Sequence, residues 1–120
     1  MMGAMEYSVR ITGGILLITL RGSFEKNGED LFKLMIKESP LLRETGLRAI
    51  KRMAVDVTQV NSTDLSGISV LVGLRALGDQ AGISQQLAVI LGDNSKMRKL
   101  LDQTKLATIF QCLTSVEELN

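Results

Sequence analysis

At 120 residues the chain has room for one core, and a hydrophobic content of 45% is too high for a disordered segment. Fourteen basic against 13 acidic side chains leave a formal net charge of +1, so bulk electrostatics favours neither nucleic acid nor an anionic membrane as partner. With no histidine and a single cysteine, Cys112, the chain lacks the usual general base, the commonest metal ligand and a zinc cage; no catalytic residue, metal site or cofactor is expected.

The opening MMGAM has no apolar core of a signal peptide and is set aside, leaving a single domain over residues 6–120. EYSVRI and ILLITLR flank Thr12-Gly13-Gly14 and read as a β-hairpin. FEKNGEDLFKLMIKES places Leu31, Leu34 and Met35 at helical spacing; Asn27 or Gly28 starts that helix and Pro40 limits it. PLLRETGLRAIKR, within the 38–52 segment, is a short helical turn and a loop with Gly46 as a stop. Arg52 to Val57 is a buried strand, followed by a polar loop and a helix from about Ser66 to Gln80 that Gly82 stops. Gln86 to Leu91 is a further apolar strand. NSKMRKLLDQTKL is a helix capped by Asn94 or Ser95, with Met97, Leu100 and Leu101 inward. TIFQCL is a short strand with Cys112 as a small buried hydrophobe, and Thr114-x-x-Glu117 has capping-box spacing for a final helix.

The order β-β-α-β-α-β-α-β-α predicts an α/β fold: a mixed, mainly parallel sheet of about five strands with an N-terminal hairpin, covered by about four helices. No apolar run reaches the roughly 18 residues needed to cross a bilayer. The lone thiol and the missing secretory signal point to a reducing cytoplasm.

The stretch NSTDLSGISVLVGL, Asn61 to Leu74, sets hydroxyls and a carboxylate at the mouth of an apolar helix. Asp64 can accept from the free N–H groups of the first turn, where Ser66 and Gly67 follow. Gly67 costs about 1 kcal/mol of helix propensity relative to Ala, which makes sense where something approaches the backbone closely. A cap, a first-turn hydroxyl and a packing concession account for the same residues. Ile68, Leu71 and Val72 form one apolar stripe, and Val70, Leu74 and Leu77 another. A helix apolar around most of its girth is covered on two sides, either by the first helix or by a partner protein.

VDVTQVNSTDLSGISVLVGL and the element order resemble the STAS domain, the fold of bacterial anti-sigma factor antagonists, over Tyr7 to Leu119. Asp56 and Val57 match the family's strand end, Val60 its apolar loop anchor, Asp64 the motif aspartate and Gly67 the motif glycine. MRKLLDQTKLATIFQCLTSVEEL resembles the closing pattern, with Thr104-Lys105-Leu106 where Ser-Gly-Leu is usual. The resemblance implies a non-enzymatic protein that captures an anti-sigma factor, itself a serine kinase, and frees the sigma factor until phosphorylation breaks the complex. Asp64, Leu65, Ser66, Gly67 and Ile68 would then form the partner-binding surface.

At the position that family members phosphorylate, this chain has Leu65. Three explanations stand: Ser66 is the acceptor, Ser62 or Thr63 serves instead, or no phosphate is used and Leu65 is an apolar contact for a constant partner. The last would suit a STAS subunit of a transport or signalling complex. Ala81 to Leu101 also resembles a helix-turn-helix, with Lys96, Arg98 and Lys99 as DNA contacts. Against it stand Asp93 in the turn, the unbroken apolar run Leu87 to Leu91 and the absence of a basic surplus.

Overall fold

The computed structural model of the protein describes residues 6–24, 50–63, 65–80, 82–83 and 86–119. The expected first helix and most of the 38–52 segment lie outside the described residues. Strands β1 (Glu6–Thr12) and β2 (Ile15–Phe24) form the expected hairpin. Its turn residues Gly13 and Gly14 sit at φ +59° and +82°, the left-handed pair that matches a two-residue turn to the twist of its strands. Then come β3 (Arg52–Thr63), helix α1 (Leu65–Gln80), β4 (Ala88–Ile90), helix α2 (Ser95–Gln103), β5 (Gln111–Leu113) and a 3₁₀ turn at Val116–Leu119.

The five strands lie in chain order, β1 antiparallel to β2 and the rest parallel. Crossovers that always step to the next strand with the same right hand place their helices on one face. The packing agrees. Ile68, Leu71 and Leu74 of α1 and Met97 and Leu101 of α2 join Leu16, Ile18, Met53, Val55 and Val89 in one core. Full burial of each such side chain contributes roughly 1.5–3 kcal/mol.

The opposite face is thinner. Small residues Ala54 and Ala88, with Ile90 and Leu113, are covered by Leu119 from the 3₁₀ turn. Arg52 holds that cover down: its guanidinium donates to the Leu119 carbonyl oxygen at 3.0 Å and to Oε1 of Gln111. The final helix expected from TSVEELN is therefore one 3₁₀ turn, long enough to bury Leu119 and no more. Glu118, not Glu117, closes its start: Oε1 accepts from the Thr114 N–H at 2.8 Å and the Ser115 N–H at 3.2 Å.

The helix-turn-helix alternative is overturned by β4. Its residues pair with β3 on one side and β5 on the other, and Leu87 to Leu91 are all buried. Lys96, Arg98 and Lys99 lie on the exposed side of α2.

The missing family glycine leaves a visible mark. After α2, the Leu106 N–H donates to the Leu101 carbonyl at 3.0 Å, and Lys105 takes the left-handed φ of +60°. The backbone thus keeps a closure that normally calls on glycine. A non-glycine residue in that region is strained by about 1–2 kcal/mol. Lys105→Gly is accordingly expected to raise stability by about 0.5–1 kcal/mol, the strain relief being offset in part by the freer unfolded chain. Urea denaturation followed by circular dichroism measures it.

Candidate functional site

β4 pairs with β3 only across Ala54, Val55 and Asp56. Beyond that point β3 runs on with β2 as its strand partner among the described residues, through Gln59–Arg21, Val60–Gly22, Ser62–Ser23 and Thr63–Phe24. Two register shifts bend this overhang: Val57 and Thr58 together oppose Leu20, and Asn61 is an extra residue between Val60 and Ser62. The polar loop expected after Val57 is therefore strand for most of its length. The long β2 supplies a partner, and the bulges absorb the irregular polar residues.

Asp56 fixes the first bulge. Its Oδ1 accepts from the Thr58 N–H at 2.9 Å and the Thr58 hydroxyl at 2.7 Å. That carboxylate is a local backbone clamp.

Asn94 fixes the other margin of the overhang. Where β4 has ended, no strand among the described residues donates to the carbonyls of β3 on that side. The Asn94 side-chain amide takes that place, donating to the Val57 carbonyl at 2.8 Å and the Val60 carbonyl at 3.3 Å. Its Oδ1 meanwhile caps α2, accepting from the Met97 N–H at 3.2 Å. One planar group thus supplies two donors and one acceptor, a set that neither serine nor aspartate carries. The sequence shows Asn94 as a cap; its hold on β3, 37 residues earlier, has no local signature.

β3 ends at Thr63 and α1 begins at Leu65. Ser62 and Thr63 are thereby the last residues of a strand, while Leu65, Ser66 and Gly67 open the first turn of a helix. Asp64, expected as the cap, lies outside the described residues. Ile68, expected on the partner surface, is 5% exposed and belongs to the core. It starts the inward line Ile68, Leu71, Leu74, spaced by three residues on one helix face. Val72, expected on a stripe with Ile68 and Leu71, instead stands 39% exposed. The adjacent outer surface carries the ion pair Arg75–Asp79 at 3.5 Å.

The helix register explains both outcomes. The buried line mixes members of the two apolar stripes, so α1 turns a mixed apolar and charged surface outward.

Cys112 is half-buried in β5, its Sγ 4.0 Å from the Ala107 carbonyl oxygen. Burial pushes its thiol above the ordinary range, against a smaller opposing pull from Arg98, which is the reverse of what activates a nucleophilic thiolate. A cavity of about 90 Å³ between Met53, Leu74, Gly78 and Ile83 lies toward the C-terminal end of α1, far from the β3–α1 junction. Among the described residues, no helix is long and apolar enough to cross a membrane.

A model of the STAS domain matches residues 6–119 of the chain. Among solved structures, a Thermotoga maritima protein assigned to the anti-sigma factor antagonists superposes with a TM-score of 0.75 at 18% identity, covering 94% of this chain and 90% of that one. The anti-sigma factor antagonist SpoIIAA in its unphosphorylated form gives 0.63 at 14% identity, with 94% and 92% covered. The phosphorylated form of SpoIIAA, a Bacillus cell fate determinant, gives 0.62 at 16% identity, with 95% and 96% covered. At these identities the likeness is one of fold. No curated protein matches the sequence.

Proposed function

Since the chain belongs to the STAS domain family, we propose that it is a non-enzymatic regulatory protein that binds an anti-sigma factor of the serine-kinase type and so releases a sigma factor. The observation that carries this reading is the β3–α1 junction. A strand overhang braced on both margins hands over to a helix with one residue between, so Ser62 and Thr63 close the strand and Ser66 falls in the first helical turn. Such an edge suits docking against a protein. Asp64, Leu65, Ser66 and Gly67 are the partner-binding candidates, and Ser66, then Ser62 and Thr63, the candidate phosphate acceptors.

A phosphate adds about −1.5 to −2 charges. At the start of a helix the domain itself tolerates that charge, because free N–H groups and the helix dipole point toward it. A partner lying flat on the same edge does not, so the switch acts on docking and leaves the fold in place.

A second reading rests on Leu65 and Val72. Exposed Val72 lies two helical turns after position 65, so an apolar residue at each position suits a constant partner in a transport or signalling complex with no phosphate switch.

The test is incubation with the cognate anti-sigma kinase and ATP, followed by phosphopeptide mass spectrometry and a binding titration. Phosphate on Ser66, Ser62 or Thr63 with loss of the complex supports the switched antagonist. Tight binding with no phosphate supports the constant partner. No binding by either form removes the anti-sigma reading.

A further inference from the structure

We propose that the outer edge of β1 pairs with the same edge of a second copy of the chain, antiparallel and centred on Ser8. Among the described residues no strand lies beyond β1. The strand is seven residues long, has no proline, and pairs with β2 without a bulge. Prolines, bulges and shortness are usual protections of such an edge, and β1 has none of them; its two exposed charges, Glu6 and Arg10, are of opposite sign and so do not repel a second copy as a like-charged edge would.

The two-residue turn makes Thr12–Ile15 the closing hydrogen-bonded pair, so Ser8 and Arg10 bond to β2 while Tyr7, Val9 and Ile11 direct their N–H and C=O groups outward. The side chains alternate as strictly. Glu6, Ser8, Arg10 and Thr12 are exposed, and Tyr7, Val9 and Ile11 are half-buried against the core.

The charges choose the occupant and the register. Glu6 and Arg10 lie two residues either side of Ser8. Antiparallel pairing about Ser8 sets Glu6 of each copy opposite Arg10 of the other. These are the non-hydrogen-bonded positions, where facing side chains come closest. Tyr7 falls opposite Val9 of the second copy, extending the apolar layer under the sheet across the seam, and those residues carry the outward backbone groups that the pairing satisfies. Among the described residues Arg10 makes no ion pair, and its neighbour across the hairpin is Leu17. A register centred on Val9 would instead set Glu6 against Thr12 and Arg10 against Ser8, so neither would meet an opposite charge across the seam, and Glu6 would keep only Arg21 of its own hairpin as a facing cation.

One strand pair buries less than the roughly 1,200–2,000 Å² of a stable interface, so the dimer is weak, reversible and salt-sensitive. β2 separates β1 from β3, and the pairing leaves the β3–α1 junction open in both copies. Anti-sigma binding is therefore an independent readout that charge changes on β1 leave unchanged.

The test is sedimentation velocity at low ionic strength, up to about 1 mM protein, where a Kd of hundreds of micromolar is visible. The mean mass should rise with concentration and fall back on adding salt. Glu6→Arg and Arg10→Glu should each weaken association about tenfold or more, because each faces like charges across the seam. An equimolar mixture of the two variants should recover it, since both contacts become complementary in the mixed pair. Circular dichroism confirms that each variant is folded. Should a second arginine beside Arg21 disturb the hairpin, Glu6→Gln replaces Glu6→Arg and should weaken association severalfold. A monomer at the highest concentration, or a dimer that persists in both single variants, overturns the proposal.

Discussion

Asn94→Ala is expected to destabilise the domain by about 2–4 kcal/mol, from the loss of one helix cap and of two tethers to β3 carbonyls. The cap alone is worth about 1 kcal/mol, and each part-buried carbonyl left without a donor adds a desolvation cost of comparable size. Asn94→Asp separates the two roles. Aspartate caps helices as well as asparagine, so if Asn94 served only as a cap this variant would be nearly neutral. The Asp carboxylate cannot donate, however, and it would face the Val57 and Val60 carbonyls as one acceptor against two others. Asn94→Asp should therefore cost more than about 1 kcal/mol, read from urea denaturation. Native-state hydrogen exchange should also quicken first over residues 58–63, the overhang that Asn94 braces. An Asp variant as stable as the parent would reduce Asn94 to a cap.

The corner that delivers Asn94 is built to reach β3. Gly92 sits at φ +55°, and a Cβ there would stand 2.8 Å from Cγ2 of Thr58. Backbone conformation and crowding both demand glycine, and Thr58 is the residue that Asp56 holds in the first bulge. Asp56, Thr58, Gly92 and Asn94 thus form one braced corner beside the proposed docking edge, and its parts come from β3 and from the turn before α2.

What the sequence discloses and what it withholds divide along the range of the interactions. The hairpin is legible because Gly13-Gly14 is a local turn signal between two apolar runs, and α2 because Met97 and Leu101 repeat at helical spacing after an asparagine. The overhang of β3 is illegible for the opposite reason. Thr58, Gln59, Asn61, Ser62 and Thr63 carry the polar composition of a loop, and only the length of β2 across the sheet makes them strand. Lys105 keeps a glycine-like backbone without the glycine, so the motif departs while the closure stays. At the junction the motif positions are found by pattern. The direction of each α1 side chain is set by how the helix seats on the sheet: Ile68 goes to the core and Val72 outward.

Ser66→Asp is expected to weaken the complex with the anti-sigma kinase by about 2–4 kcal/mol, roughly thirtyfold to a thousandfold, since a charge buried without a partner against a docked surface costs that much. The same substitution should leave the domain as stable as before or raise it by about 0.3–1 kcal/mol, because a carboxylate in the first turn of α1 interacts favourably with the helix dipole. That opposite sign is the diagnostic: binding falls while the thermal midpoint holds or climbs, which a merely unfolded variant cannot produce. Ser66→Ala should bind as the parent does and lose its response to ATP. Leu65→Ser restores a hydroxyl at the position where the family accepts phosphate, and should become a kinase substrate whose complex dissociates on ATP addition. If Ser66→Asp binds as tightly as the parent while Leu65→Ser gains ATP sensitivity, the edge is a docking site from which the chain has lost its switch. If neither variant alters binding, docking occurs elsewhere on the domain, and the β3–α1 junction is braced for stability alone.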